Sequence, residues 1–256
     1  MFSAYLLHLA DNALILGHRN SEWTGHGPVL EQDIALSNIA LDLIGQSRNL
    51  YQLAADQLNA GSPARKPVTE DDLAYLRDAT AFKNVVLVEQ PNGDWAQTIL
   101  RQFYFSQFQL LQYGALLKSK EPGLAAISEK SIKETRYHVK WSSEWVCRLG
   151  DGTAESHSRM LNALETLNPL VPELFTAADY ELSSASGGRG VDPADLKENW
   201  LKPVNRILEA ATLPLYIFEN KKRSVLSGKN GFHSEHLGYI LAEMQFLQRA
   251  YPGCTW

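Results

Sequence analysis

Between Pro28 and Leu58 apolar residues return at intervals of three and four, and no run of the chain alternates residue by residue over a comparable length. That spacing follows the 3.6-residue turn of an α-helix rather than the two-residue period of a strand. Leu36, Ile39, Ala40, Leu43, Ser47, Leu50 and Ala54 step along one face, and Leu30, Ile34, Leu41 and Ile44 along another. A helix apolar on two sides is buried on two sides, so this segment is expected inside a bundle.

The same periodicity governs the rest of the chain. A first helix is expected from about residue 3 to 19, ahead of the polar, glycine-rich SEWTGHGP. AGSPARKPV, from Ala60 to Val68, reads as a linker, and Thr69 with Asp72 three residues on makes a capping-box-like start to a short helix. VVLVEQPNGDW breaks the helical period; Asp94 is the N-cap of a third long helix reaching about Lys118. EPG at 121–123 introduces a fourth, from about 124 to 149, ending at Gly150. A fifth, from about 154 to 178, must kink or break at Pro169 and Pro172. SSASGGRG reads as a mobile loop, and Asp192 before Pro193 opens a helix to about Ala211. The basic loop KKRSVLSGKNG leads to a last helix, His233 to about Tyr251. No internal repeat or heptad run appears. Long helices with short connections predict an all-α bundle, one domain over 1–256.

Composition narrows the function classes. At roughly 150 residues per domain, 256 residues allow one large domain or two small ones. The two cysteines, Cys147 and Cys254, are far apart, which suits a reducing compartment and excludes a disulfide scaffold or zinc ribbon. A net charge of -5 offers no basic field for nucleic acid or anionic lipid. MFSAYLLHLADNALILGHRN has no basic region before its apolar residues, and no apolar run approaches the roughly 18 residues of a spanning helix. A soluble cytoplasmic protein is expected, with neither a nucleic-acid nor a membrane partner.

A bundle of long helices with polar inward positions raises the question of a di-iron carboxylate centre. Such a site needs a Glu from each of two helices and a Glu-x-x-His from each of two others, the three-residue spacing placing carboxylate and imidazole on one face. The residues three before the seven histidines are Tyr5, Ile15, Trp23, Thr135, Ala154, Asn230 and His233, so no Glu-x-x-His exists. The helix from Trp95 to Lys118 carries no carboxylate; its inward polar candidates are Gln102, Ser106 and Gln109. Asn38, Asp42, Gln46 and Asn49 step along the second helix, and Lys130, Glu134 and His138 along the fourth. These read either as a site with its ligands removed or as a solvated stripe. If buried, Asp42 and Glu134 require partners, with Arg101, Arg136, His138 and Gln46 the nearest candidates.

Other candidates are weaker. His233-x-x-His236, near Glu235 and Glu243, has metal-like spacing, yet such pairs more often decorate a surface or core. Gly187, Gly188 and Gly190 around Arg189 could approach a phosphate, without the strand and helix that flank a P-loop. Lys221, Lys222, Arg223 and Lys229 could meet an anion, although a charge run is usually solvated. Glu22 and His26 straddle a glycine-containing loop rather than one helical face.

The segments DIALSNIALDLIGQSRNLY, NVVLVEQPNGDWAQTILRQF, AAISEKSIKETRYHVKWSSEWVCRLGDGT and GFHSEHLGYILAEMQFLQR resemble the PaaC family, the C subunit of the bacterial ring-1,2-phenylacetyl-CoA epoxidase. The resemblance spans nearly the whole chain and is least distinctive from about 154 to 230. It implies a ferritin-like bundle with additional C-terminal helices, within a multicomponent oxygenase of phenylacetate catabolism. It further implies that a related A subunit holds the di-iron centre and the CoA thioester, that one atom of O₂ enters the aromatic ring as an epoxide, and that a separate reductase delivers electrons. The C subunit is then a non-catalytic partner of the A subunit, with no catalytic residue, cofactor or metal of its own. The ligand count agrees: Leu43 and Gln46 stand where a Glu-x-x-His is expected on the second helix, and Thr135 replaces the Glu before His138 on the fourth. Trp23, Trp95, Trp141, Trp145 and Trp200 are candidates for contacts with a partner or for core packing, and an isolated chain could self-associate through its partner-binding face. Two competing readings are an enzyme with its own metal site, from Glu134, His138 and Asp42 or from His233 and His236, and a helical adaptor unrelated to oxygenation.

Overall fold

The structure, a computed structural model, describes residues 1–60, 66–218 and 227–254. The helices are α1 (Phe2–Ser21), α2 (Leu30–Ala60), α3 (Glu70–Tyr75), α4 (Val86–Glu89), α5 (Trp95–Leu116), α6 (Pro122–Gly150), α7 (Ala154–Leu167), α8 (Asp179–Ser186), α9 (Lys197–Ala210), α10 (Glu235–Met244) and α11 (Phe246–Ala250). Among the described residues, pairing of the β type is confined to one isolated bridge between Ser227 and Phe232. The protein is an all-α, ferritin-like bundle of long helices, and none of its described helices is long and apolar enough to cross a membrane.

Backbone packing divides the chain into two compact units, Met1–Pro91 with Val225–Trp256, and Asn92–Ser224. In the first, α1 packs along α2 and also meets α4 and α10. No residue of α1 is exposed, the signature of a helix buried on all sides. Leu36, Ile39, Ala40, Leu43, Ser47, Leu50 and Ala54 of α2 are all buried. Thr69 and Asp72 form the full capping box at the start of α3. The stretch from Phe82 to Val85, buried except for the half-buried Lys83, leads into the single turn of α4, and Gly228 crosses it so closely that a Cβ there would stand 2.0 Å from the Asn84 carbonyl oxygen.

In the second unit, α5 and α6 form the central pair, α7 packs on both, and α9 does likewise. Asp94 caps α5 by accepting from the Gln97 amide at 3.0 Å. Trp200, fully buried, donates its indole N–H to the Tyr104 carbonyl at 3.0 Å and packs at steep ring angles against Tyr104, Phe175 and Tyr216 at centroid separations of 5.4, 5.3 and 5.5 Å. The end of α6 meets α7 and the residues after α9: His157 Nδ1 of α7 donates to the Gly150 carbonyl at 2.6 Å, and Thr212, at a positive φ of 56°, donates to it at 3.3 Å. A Cβ on Gly150 would lie 2.4 Å from the Ala211 carbonyl oxygen, so the crossing requires glycine.

Four expectations need correction. Most of the second apolar stripe of α2 is not buried: Leu30, Ile34 and Leu41 are 72%, 51% and 66% exposed, because no element among the described residues covers that face, and only Ile44, beside Gly17, is half-buried. The last helix is two, divided at Gln245, whose side chain turns inward to the carbonyls of Ala74 (3.2 Å) and Arg77 (3.0 Å). Ser183 to Ser186 are helical, forming the end of α8, where Ser184 Oγ donates back to the Tyr180 carbonyl at 2.7 Å. Between Asp192 and α9 lies a 3₁₀ turn, Pro193–Leu196. The expected break after residue 167 takes the form of a 3₁₀ segment, Asn168–Phe175, containing Pro169 and Pro172. Most of the predicted linker (61–65) and Lys221, Lys222 and Arg223 lie outside the described residues.

The glycines give a paired test. Gly150→Ala forces a methyl group into backbone and is expected to cost about 1–3 kcal/mol. Gly238→Ala, in the exposed middle of α10 with no heavy atom near the new Cβ, is expected to stabilise by about 0.5–1 kcal/mol. Denaturant unfolding of the two variants against the parent chain reads both signs.

Candidate functional site

The polar stripes of the long helices differ in burial along their length. On α2, Leu43 and Gln46 are buried, Asp42 and Asn49 are half-buried, and Asn38 is exposed. On α6, Thr135 and His138 are fully buried, Glu134 is half-buried and Lys130 is exposed. The two stepped stripes therefore do not lie on one face. An i to i+4 step overshoots a 3.6-residue turn by about 40°, so two such steps rotate the line by about 80°. That rotation carries each stripe from solvent at Asn38 or Lys130 to the interior at Gln46 or His138.

The positions that keep the Glu-x-x-His spacing, Leu43 with Gln46 and Thr135 with His138, do share buried faces. On α5, Gln102, Ser106 and Gln109 are buried, at 0%, 0% and 2% exposure. Gln102 Nε2 donates to Ser106 Oγ at 2.8 Å, and Ser106 Oγ donates back to the Gln102 carbonyl at 2.5 Å. Gln109 Nε2 reaches the Tyr113 hydroxyl at 3.4 Å. The buried hydroxyls of α6 bond backward within their own helix, Ser128 to Leu124, Thr135 to Ser131 and Ser142 to His138, at 2.7, 2.9 and 2.6 Å. Asp42 and Glu134 do not face the full cost of burial that would have dictated their partners, and Arg101 donates to Asn92 Oδ1 at 2.6 Å.

In neither unit do these residues make a donor set for two iron ions. Leu43 offers no ligand atom, Gln46 and Gln102 offer neutral amides, Ser106 and Thr135 hydroxyls, and His138 alone an imidazole. A dinuclear iron site needs several anionic oxygens on the buried faces. Among the described residues, no three His, Cys, Asp or Glu side chains converge in a way that could hold a metal ion.

Two charged clusters in the N-terminal unit escaped the sequence reading. Asp11 of α1 is fully buried and accepts from both terminal nitrogens of Arg77, from the Tyr51 hydroxyl, and from the Lys83 amide at 2.7 Å. Burial opposes charge on the Arg77 guanidinium, yet Asp11 beside it and the Tyr51 hydroxyl hold its pKa above the ordinary value. The guanidinium also stacks 4.2 Å over the Phe82 ring. Glu89, fully buried, accepts from Asn84 Nδ2 at 2.8 Å and from the Ser234 amide at 2.6 Å, and pairs with His233 Nδ1 at 2.8 Å. His233 Nε2 faces the Phe82 carbonyl at 3.0 Å. A carboxylate in the middle of an apolar first helix was the available signal for Asp11. Glu89 and His233 lie 144 residues apart, and nothing local links them.

The weaker candidates also have definite places. Both ring nitrogens of His233 are committed as above, while His236 is half-buried. The amides of Gly187, Arg189 and Gly190, with that of Gly188, all donate to carbonyls of the last turns of α8, so none points at a phosphate. A cleft of about 320 Å³ borders that loop, lined by Lys118, Ser119, Gly188, Asp192 and Asp195 among others. Lys229 is buried at 1% exposure rather than solvated. Glu22 bonds to Arg19 at 2.8 Å, and His26 is exposed. Trp200 and Trp141 are buried; Trp23, Trp95 and Trp145 are half-buried, with Trp95 edge-on to Trp141 and Trp145.

The family described as phenylacetic acid catabolic protein matches residues 2–256. The chain is also similar to the C subunit of the 1,2-phenylacetyl-CoA epoxidase of Escherichia coli (strain K12), 43% identical over 254 residues that cover 99% of this chain and 98% of that protein.

Two outcomes follow from the buried charges and phenols. Asp11→Ala leaves the Arg77 guanidinium buried without its carboxylate and is expected to cost about 3–5 kcal/mol in denaturant unfolding. Burial lifts the Tyr51, Tyr104 and Tyr113 phenols well above the ordinary range, with Asp11 adding to the effect at Tyr51, Tyr216 at Tyr104, and Glu134 at Tyr113. Their pKa values rise on folding, so the stabilisation is whole below about pH 10 and is lost as pH climbs toward the folded values. Ultraviolet titration of tyrosinate should therefore leave these three of the ten tyrosines un-ionised until the chain unfolds.

Proposed function

Because the chain belongs to the phenylacetic acid catabolic protein family, we propose that it is the C-type subunit of a ring-1,2-phenylacetyl-CoA epoxidase, a non-catalytic partner of the related di-iron A subunit. Iron, the CoA thioester and the oxygen chemistry then reside in the A subunit, which inserts one atom of O₂ into the ring with electrons from a separate reductase. The end-to-end similarity to the E. coli protein supports the assignment to the complex.

The observation that carries the non-catalytic reading is the chemistry of the positions with ligand spacing. Leu43 and Gln46 in the first unit, and Gln102, Ser106, Thr135 and His138 in the second, are all buried. They bring one imidazole and no carboxylate, and Gln102 and Ser106 satisfy one another instead. A bundle of this kind contributes rigidity and surface rather than ligands. It can fix the neighbouring helices of the A subunit and cover apolar area that would otherwise meet water.

Metal analysis and reconstitution test the reading together. The purified chain is expected to carry far less than one equivalent of iron or manganese and to form no epoxide alone. Omitting it from the reconstituted complex should lower turnover of phenylacetyl-CoA by more than an order of magnitude or leave the A subunit insoluble. Stoichiometric metal in this chain would overturn the proposal, as would full turnover by a soluble A subunit without it.

A further inference from the structure

Residues 227–254 pack into the N-terminal unit and are held there unlike the rest of it. α10 buries Leu237, Ile240 and Leu241 alone, and from Phe246 to Cys254 no residue is buried. Phe232, Tyr239, Phe246 and Tyr251 are each more than half exposed. α1, by contrast, has no exposed residue. The apolar hold on this segment is thin, and polar anchors at the two ends of α10 supplement it.

The first anchor is the fully buried Glu89 carboxylate. Its Oε1 accepts from the Ser234 amide at 2.6 Å, and its Oε2 pairs with His233 Nδ1 at 2.8 Å. Just before these residues, the bridge between Ser227 and Phe232 closes a turn in which Gly228 and Lys229 are buried. That turn sets Gly228 on the Asn84 carbonyl and Gly231, at a φ of 83°, over the carbonyl of Thr80. A Cβ on Gly231 would stand 2.5 Å from the Thr80 oxygen, an approach open only to glycine. The second anchor is Gln245, which donates to the carbonyls of Ala74 and Arg77, with Arg249 alongside it on Arg77 and Asp78. Both anchors fall on one stretch of chain, residues 74–89.

The other side of that stretch belongs to α1. Asp11 and Asn12 accept from the amides of Lys83 and Val85, and Arg19 donates to the Glu89 carbonyl. Lifting residues 227–254 therefore leaves 82–89 in place. It also gives the Glu89 carboxylate water in exchange for its lost partners, so the charge is not stranded in an apolar interior. Once released, α10 has ten residues, too few to stay helical alone, and the segment unravels as it leaves.

We infer that residues 227–254 form a strap across 74–89 that opens as one unit while α1 and α2 stay folded, with Glu89 as the latch that sets how tightly it is held. Opening uncovers the Glu89 carboxylate and the Asn84 side chain, both fully buried when the strap is closed. The device belongs to this chain alone and requires nothing of the proposed place in an epoxidase.

Native-state hydrogen exchange of the full-length chain, in guanidinium too dilute to unfold it and read by mass spectrometry, tests the strap. In the parent, the amides of α10 should exchange together, about a hundredfold or more faster than those of α1 and α2, and with a weaker dependence on denaturant. Glu89→Gln keeps the shape of the latch and removes its charge. Charge-assisted hydrogen bonds are roughly twice as strong as neutral ones, so this variant should speed exchange across α10 by about tenfold or more. Exchange of α1 and α2 should stay as in the parent. Gln245→Ala, at the other anchor, should accelerate the same peptides of α10. Tyr239→Ser, exposed on α10 and outside both anchors, should leave the pattern unchanged. Protection and denaturant dependence in α10 equal to those of α1 would overturn the strap. Equal acceleration of α1, α2 and α10 by Glu89→Gln would overturn it too, since the residue would then serve global stability alone. Parent-like exchange of α10 in Glu89→Gln would remove Glu89 from the role of latch.

Discussion

The chain from Phe82 to Glu89 runs through the interior of the N-terminal unit, extended to Val85 and then in the single turn of α4, and a buried backbone with so short a helical ladder needs partners for its N–H and C=O groups. The polar residues of α1 answer that need. His8 meets the Lys83 carbonyl at 2.7 Å, Asp11 takes the Lys83 amide at 2.7 Å, and Asn12 takes the Val85 amide at 2.8 Å. Arg19 donates to the Glu89 carbonyl through Nε and Nη2, at 3.2 and 2.9 Å. These four sit at 8, 11, 12 and 19, the spacing of one helical face. A helix that would otherwise be uniformly apolar is polar where this segment passes.

Charge buried for that purpose creates further demands, which the neighbouring elements meet. Asp11 draws Arg77 and the Tyr51 hydroxyl around its carboxylate, joining α1, α2 and the chain after α3. Glu89 draws Asn84, His233 and the Ser234 amide, so the C-terminal segment is fixed to the same stretch from its other side. Removing one member of either group strands the rest in a low-dielectric interior, which is why such clusters behave as units.

The second unit follows a different logic. Its central helices bury mostly amides and hydroxyls, several of them bonded within their own helix, together with the Arg101 guanidinium, which donates to Asn92 Oδ1. Gln102 with Ser106, Gln109 with Tyr113, and the serines and threonine of α6 are closed locally. The amides and hydroxyls at these positions are consistent with the proposed division of labour, chemistry in a related subunit and support in this one.

Much of this was legible in one dimension. The long helices, their caps at Thr69 and Asp94, the break at Pro169 and the absence of Glu-x-x-His spacing all depend on residues within a turn or two of each other, where the 3.6-residue period and side-chain chemistry suffice. The same locality explains the errors. The steps at Lys130, Glu134 and His138 suggest a shared face until the 40° drift of each i+4 step is counted against observed burial. The apolar stripe at Leu30, Ile34 and Leu41 invites the expectation of cover, because periodicity reveals that a helix has an apolar face but not whether its own chain supplies the cover. Tertiary structure alone decided that this face stays open, that Gln245 turns inward, and that Glu89 meets His233 across 144 residues. Such pairings are set by the path of the whole backbone through a close-packed interior, and no short-range propensity encodes them.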